Sequence, residues 1–207
     1  MLALLSWAAL AAPATRIRHI RIDGVNGPVE DTARAAADSV RGRPALLTRL
    51  APVEAAVERD VRVADAHVSR RFPDTIIVGV VPRVAVLAAG NSNGQLDLVD
   101  VEGVRFEAVG RAPEGLPVVR SAGAGPVSDP ALHIALNVVA AMPGSLRSRM
   151  TDLAVTPAES LTFAVGDTRI SWGDASQVDV KARIVSILLR DKPKTIDVSA
   201  PDTPVTT

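Results

Sequence analysis

Apolar and polar residues alternate regularly along the first part of the chain, with spacings that switch between those of strands and those of helices. Ile20 and Ile22 lie on one side of a predicted strand, with charged neighbours on the other. Pro28 suits the first position of a helix, and Gly42 suits its end. The predicted order is a strand at 16–25, a helix at 28–40, a second helix from 52, and strands at 64–70 and 75–81.

The rest of the chain predicts a larger sheet with helices beside it. Its expected elements are strands at 95–101 and 104–109, an irregular Pro- and Gly-rich crossing at 111–130, a helix from 128 to 143, a hairpin over 161–172, a helix over 176–190 and a last strand at 195–198. In the helix over 176–190, the apolar side is expected to consist of Val180, Ile184, Ile187 and Leu188.

These elements place the chain in the α+β class, with two domains. The first, over 16–83, has the order β-α-α-β-β. The second, over 84–199, is a mostly antiparallel β domain with flanking helices. Residues 200–207, with their prolines, are expected to be a flexible tail.

Residues 1–15 form an apolar run that is too short to cross a bilayer as it stands. A helix of this length extends roughly 20 Å, whereas a hydrocarbon core is roughly 30 Å thick. We expect a truncated membrane anchor, because basic residues follow the run from Arg16 onward and none precedes it. Two alternatives remain: a signal peptide with a small-x-small cleavage site at 12–14, and a buried or disordered segment.

Composition and charge exclude several classes of function. The 23 Lys and Arg balance 23 Asp and Glu, so the chain lacks the positive excess of a general nucleic-acid binder. Three Phe, two Trp and no Tyr do not provide a stacking surface for single strands. The absence of Cys excludes disulfides and thiolate chemistry. The basic cluster over 16–21 is better explained by contact with lipid headgroups than by nucleic acid.

No motif of the chain has the context that catalysis requires. Residues 90–94, Gly-Asn-Ser-Asn-Gly, match the hydrolase pattern Gly-x-Ser-x-Gly, but a strand and not a helix is predicted after them, and these residue types favour a turn. His19, His67 and His133 follow no metal-ligand spacing. We expect no enzyme activity, cofactor, metal or small-molecule substrate, and a hydrolase that uses Ser92 is the alternative.

The first domain resembles the POTRA domain of the FtsQ/DivIB cell-division family. The motif residues are Val68 and Arg70 of an Ala-x-Val-x-Arg run, followed by the aromatic-Pro pair Phe72 and Pro73. Further matching residues are Ile20, Ile22, Gly24, Val25, Val63, Ala66, Asp74, Ile76, Val78 and Val80. One departure is the sequence Val-Pro-Arg-Val at 81–84, where the family usually has Glu-Arg-x-Pro.

The second domain resembles the β domain of the same family, in its actinobacterial form. Residues 98–106, Leu-Val-Asp-Val-Glu-Gly-Val-Arg-Phe, are similar to the family's Leu-Val-Asp-x-x-Gly-x-x-Phe hairpin. The Trp-Gly pair at 172–173, the helix up to Leu189 and residues 196–202 are similar to its C-terminal region. The resemblance extends over nearly the whole chain after residue 15.

The resemblance implies a single-pass plasma-membrane scaffold at the division septum, with most of its chain outside the cytoplasm. Its partners would be divisome membrane proteins of the FtsB and FtsL type. In the family the C-terminal region receives these partners, which assigns partner binding to Ile196, Asp197, Val198, Ser199 and Ala200, and more weakly to the preceding helix with Ile184 and Leu188. A POTRA-type module for polypeptide transport or membrane-protein assembly is the alternative function.

The last predicted strand, at 195–198, is a candidate edge of the sheet. An edge strand presents unpaired backbone groups with which a partner strand can pair. The proline at 201 supports this prediction, since proline cannot donate to a ladder. The alternative for Ile196 and Val198 is that their side chains complete the core.

Overall fold

A computed structural model of the protein describes residues 15–123, 125–156 and 158–207. The chain divides into two compact units, with the boundary between Arg83 and Val84. Apart from Thr15, the predicted anchor and the alternative cleavage site lie outside the described residues. Among the residues that are described, no helix has both the length and the apolar character needed to cross a bilayer.

The first unit is a three-stranded sheet packed against two helices. Its elements are β1 (His19–Asp23), α1 (Pro28–Asp38), α2 (Ala51–Val57), β2 (Val63–Arg71) and β3 (Thr75–Pro82). The central strand, β3, pairs parallel with β1 and antiparallel with β2. This order of elements confirms the one predicted from the sequence.

The core of the first unit lies between the helices and one face of its sheet. Ile76, Val78 and Val80 alternate with more exposed residues along β3 and are almost completely buried. Gly24 follows β1 with a φ of 97°, and a Cβ there would lie 2.1 Å from the Val80 carbonyl oxygen. Only glycine therefore fits where the chain leaves β1 and passes this close to β3.

The second unit is a nine-stranded mixed sheet with helices packed against it. Its strands are β4 (Leu87–Gly90), β5 (Leu96–Val99), β6 (Arg105–Val109), β7 (Val118–Ser121), β8 (Met150–Val155), β9 (Leu161–Val165), β10 (Thr168–Gly173), β11 (Thr195–Asp197) and β12 (Val205–Thr206). Its helices are α3 (Asp129–Ala141), α4 (Gly144–Arg147) and α5 (Val178–Leu188). The spatial order of the strands is β12-β11-β10-β9-β8-β7-β4-β5-β6.

Most strand pairs of this sheet are antiparallel, as predicted. The parallel pairs are β4 with β7, β7 with β8, and β10 with β11. The connection between β10 and β11 runs through α5, the helical crossover that a parallel pair needs. The largest buried side chains of the sheet include Trp172 of β10 and Phe163 of β9, whose ring centroids lie 5.9 Å apart.

The sequence pattern misses some of these elements. The predicted irregular crossing at 111–130 contains β7, and neither α4 nor β8 was predicted. β7 is four residues long and lies between prolines and glycines that favour a loop. It becomes a strand because parallel neighbours on both sides satisfy its backbone.

Candidate partner-binding surface

The strand predicted to be the sheet edge, β11, is an interior strand. It pairs parallel with β10 and antiparallel with β12. β12 lies in the tail that was predicted to be flexible, so that prediction is wrong for Val205 and Thr206. The chain reverses direction between the two strands, with the Thr203 N–H donating to the Ala200 carbonyl at 3.0 Å. The edge of the sheet at this end is therefore β12.

The five predicted strand residues divide into a buried pair and an exposed group. Ile196 and Val198 are fully buried, and the Val198 N–H donates to the Ser171 carbonyl at 2.9 Å. Both side chains therefore complete the core. Asp197, Ser199 and Ala200 are exposed and remain candidates for contact with a partner.

Asp197 and Ser199 form a small polar turn at the end of β11. The Asp197 Oδ1 accepts hydrogen bonds from the Ser199 N–H at 2.9 Å and from the Ser199 hydroxyl at 2.7 Å. The hydroxyl bond, followed by the backbone bond, lowers the pKa of Asp197 below its usual range. The surface beside β12 thus carries a fixed negative charge at neutral pH.

The outer edge of β12 has free backbone groups at Thr206. Thr195 and Thr207 exchange backbone hydrogen bonds, of 3.1 Å and 3.3 Å. In an antiparallel pair such exchanges alternate along the strand, so the N–H and C=O of Thr206 point away from β11. The neighbouring Val205 side chain is 59% exposed. The edge therefore offers a donor, an acceptor and an apolar contact to an incoming strand.

Helix α5, which precedes β11 along the chain, adds an apolar stripe to the second unit. Val180 and Ile187 are 47% and 54% exposed, and Ile184 and Leu188 are half-buried against the core. The sequence pattern predicts these four residues on one apolar side of the helix; two of them, Ile184 and Leu188, pack against the core, whereas Val180 and Ile187 face outward. The buried face consists of Lys181, Ala182 and Val185.

Sequence reasoning missed Lys181, which is fully buried although it is charged. Its Nζ donates to the Asp174 Oδ1 at 2.9 Å and to the Asp174 carbonyl at 3.1 Å, and it lies 6.0 Å from the centre of the Trp172 ring. The Ser176 hydroxyl, followed by Lys181, lowers the pKa of Asp174 well below its usual range. Because the lysine stem occupies a core position, the outward face of α5 is shifted from the one its apolar residues predict.

The POTRA motif residues support the fold of the first unit. Val68 is buried, and its N–H donates to the Glu54 carboxylate at 2.7 Å. The Arg70 guanidinium donates to the carbonyls of Ala45, at 2.7 Å, and of Thr48. The last two motif residues, Phe72 and Pro73, are joined by a cis peptide bond in the turn between β2 and β3, and Phe72 is exposed.

The candidate catalytic and metal-ligating residues are dispersed. Ser92 is exposed in the turn between β4 and β5, as predicted. A strand and not a helix follows it. His19 lies 3.5 Å from an Asp74 oxygen, and His67 lies 3.2 Å from a Glu54 oxygen. His133 contacts the backbone of its own helix. Within the described ranges, no three or more His, Asp or Glu residues form a group that could hold a metal ion.

Two family models match the chain, one for each unit. Residues 15–83 match the model "POTRA domain, FtsQ-type", and residues 88–199 match the model "Cell division protein FtsQ/DivIB, C-terminal". The two matches cover the elements that carry the POTRA motif and most of the nine-stranded sheet.

Individual relatives are similar over nearly the whole chain. The cell division protein FtsQ of Mycolicibacterium smegmatis is 31% identical, over 98% of this chain and 64% of its own length. That of Mycobacterium tuberculosis is 32% identical, over 97% and 63%. That of Streptomyces venezuelae is 28% identical, over 96% and 76%.

The chain spans about three fifths of the length of the mycobacterial relatives. Its two units match the two family models in their order along the chain, and the relatives match it over both units. The chain therefore belongs to the FtsQ/DivIB family of cell division proteins.

Proposed function

We propose that this chain is a non-enzymatic scaffold of the bacterial division septum. In this proposal, its N-terminal segment anchors it in the plasma membrane with a single pass, and the described residues lie outside the cytoplasm. It binds other divisome membrane proteins, of the FtsB and FtsL type, and links them to the division ring. Its family membership supports a role in cell division.

The observation that carries the proposal is the combination of a short sheet edge and an apolar helix stripe in the C-terminal region. β12 presents the outward backbone groups of Thr206, and α5 presents the exposed side chains of Val180 and Ile187. A partner that adds one strand to β12 gains main-chain hydrogen bonds, and an apolar side chain on that partner gains burial against α5. The exposed residues Asp197 and Ser199 lie beside the first of these contacts.

The dispersed titratable groups support binding over catalysis. A catalytic site needs a nucleophile, an acid or a base within hydrogen-bond reach of each other in a sheltered pocket. Ser92 and the three histidines do not converge in this way. A scaffold needs only complementary surfaces, and the second unit offers them.

Depletion of the protein in its own cells tests the proposal. We expect the cells to grow as filaments, because septal wall synthesis is no longer coupled to the division ring. Cells that divide normally without the protein would contradict the proposal, whatever the chain binds in vitro.

Complementation with α5 variants tests the assigned surface. Ile187→Asp places a charge in the exposed stripe, and we expect it to lower co-purification of the partner pair and to leave filaments uncorrected, because a buried unpaired charge is costly. Arg183→Asp, an exposed residue on the same helix, is the matched control. Equal recovery by both variants would remove α5 from the binding surface.

A further inference from the structure

The loop of residues 43–49, between α1 and α2, is bonded to the point where the apolar N-terminal run ends. The Ala45 N–H donates to the Thr15 carbonyl at 2.8 Å, and the Ile17 N–H donates to the Arg43 carbonyl at 2.9 Å. Thr15, the residue at which the apolar run of the sequence ends, is therefore bonded directly to this loop.

The conformation of the loop is fixed from inside the domain. Ala45 and Thr48 are buried, and the Thr48 hydroxyl donates to the Pro44 carbonyl at 2.7 Å. The Arg70 guanidinium donates to the carbonyls of Ala45 and Thr48. The residues between these anchors are consequently held outward in a defined arrangement.

Two adjacent leucines lie at the outward side of the loop. Leu46 is 42% exposed and Leu47 is 57% exposed, while both neighbours in the chain, Ala45 and Thr48, point into the core. Single exposed apolar residues are common on protein surfaces, but an adjacent pair on a rigid loop is a compact apolar projection.

Arginines without counter-charges surround the leucine pair. Arg43 and Arg49 flank it in the loop, and both side chains are exposed. Neither has an acidic partner in the part of the chain that the structure describes. The nearest acidic residues on either side along the sequence have other partners: Asp38 is bonded to Arg41 at 2.6 Å, and Glu54 accepts the Val68 N–H at 2.7 Å. The face thus combines an apolar centre with a cationic rim.

We propose that this face is a membrane-contacting surface, in which Leu46 and Leu47 insert at the boundary between headgroups and acyl chains. Arg16, Arg43 and Arg49 lie over anionic headgroups in this arrangement. An apolar side flanked by cationic residues is the combination that holds protein segments in the plane of a bilayer interface. The proposal rests on the proposed function only in taking the chain to be tethered to a membrane.

A bilayer fits this face better than a protein partner because of where the chain comes from. The apolar residues 1–14 immediately precede Thr15, so a membrane tether formed by them would bring the loop that is bonded to Thr15 close to the bilayer surface. The uncompensated arginines match anionic lipid.

A single fluorophore tests the contact in the full chain. The sequence contains no Cys, so Leu47→Cys gives a unique labelling site. Val61→Cys is the matched control, since Val61 is 49% exposed. It precedes β2, whereas Arg70, which binds the loop, lies near the other end of that strand, so the spacing of residues in a strand separates Val61 from Arg70 by roughly 25–30 Å. The labelled chains are bound to vesicles of phosphatidylglycerol and phosphatidylcholine that carry a quencher at the level of the headgroup boundary.

We expect quenching at position 47 to exceed that at position 61 by about threefold or more, since interfacial insertion is only about 5–10 Å deep. Arg43→Gln with Arg49→Gln is expected to reduce the quenching at position 47, and added salt to do the same. Equal quenching at both positions in chains that float with the vesicles would overturn the proposal while leaving the tether intact.

Two other results separate the remaining possibilities. Chains that do not float with the vesicles would overturn the inference, because residues 1–15 and the loop together then fail to hold the chain at a bilayer surface. A label at position 47 that is shielded from an aqueous quencher but not reached by the lipid quencher would mean that protein covers the loop, and this would also overturn the inference.

Discussion

Arg70 shows how one side chain can organise a surface that it does not itself form. Its guanidinium satisfies two backbone carbonyls of the loop between α1 and α2, which holds the leucine pair outward. Arg70 is part of the motif on which the family resemblance depends. The structure shows what this motif residue does: it holds the loop by hydrogen bonds.

Loss of this guanidinium is expected to destabilise the first unit. Arg70→Ala should lower the free energy of unfolding by about 2 kcal/mol, because two carbonyls lose a charged donor. Arg70→Lys should recover part of the loss, since one ammonium cannot make the planar two-point contact. Urea unfolding followed by far-UV circular dichroism measures both variants. Unchanged stability of Arg70→Ala would show that water replaces the guanidinium at no cost.

Asp174 links the stability of the second unit to pH. Its pKa is lowered in the folded state, first by the Ser176 hydroxyl and then by Lys181, so the folded chain binds its proton less readily than the unfolded chain. The resulting stabilisation is complete above the ordinary value of 3.8 and is lost as the pH falls through the lower folded value.

We expect Asp174→Asn to be less stable than the wild type at neutral pH and to approach it in acid. Emission of Trp172 in a Trp7→Phe background reports unfolding of this unit at each pH. Asp167→Asn, in the exposed loop between β9 and β10, is the matched control. A difference between Asp174→Asn and wild type that stays constant from neutral pH down to about pH 2 would contradict the linkage.

At the scale of the elements, the end of β10 can approach the residues after β11 closely because Gly173 has no side chain. Gly173 has a φ of 76°, and a Cβ there would lie 2.9 Å from the Ser199 Cβ and 3.0 Å from its Cα. The close approach fixes the backbone of Ser199, and with it the exposed turn that Ser199 forms with Asp197, against the end of β10. The Trp-Gly pair of the sequence therefore combines a core ring with a required glycine.

Gly173→Ala is expected to lower the free energy of unfolding of the second unit by roughly 2–4 kcal/mol, from backbone strain and overpacking together. Gly110→Ala is the control, because nothing lies within 4 Å of a Cβ at that position. The same Trp172 emission measures both. If the two variants are equally stable, the backbone of Ser199 moves away without cost, and the turn is not fixed.

Elements with strong alternation could be predicted from the sequence, and those fixed by their neighbours could not. β3 and the β9–β10 hairpin repeat buried and exposed residues with a period of two. β7 and the two-residue β12 are strands because they form backbone hydrogen bonds with adjacent strands, and the local sequence does not show those neighbours. Hence the position of the sheet edge could be found only in the structure.

The candidate site shows the same division. Asp197, Ser199 and Ala200, which the resemblance assigns to partner binding, are exposed, and the binding itself stays a prediction. Ile196 and Val198 are buried in the core, which was the alternative to partner binding for these two side chains. The stripe on α5 could not be oriented from sequence, since Lys181 occupies a buried position that a charged residue does not predict.

At the scale of the whole molecule, each unit has its own core and a separate proposed surface. The first unit carries the proposed membrane-contacting loop, and the second carries the sheet edge and the α5 stripe. The zero net charge favours binding through specific surfaces and argues against general attraction to a polyanion. The central claim is that a partner strand pairs with the backbone of β12.

Thr206→Pro tests this claim most directly, with the affinity for a partner pair of the FtsB and FtsL type as the measurement. The substitution removes the outward N–H of β12 and keeps its bonds to β11. We expect a loss of affinity of roughly tenfold to a hundredfold, because the partner keeps an unsatisfied carbonyl. Thr206→Ser, which retains the N–H, should bind as the wild type does. Equal affinity of the Pro and Ser variants would contradict strand pairing at this edge.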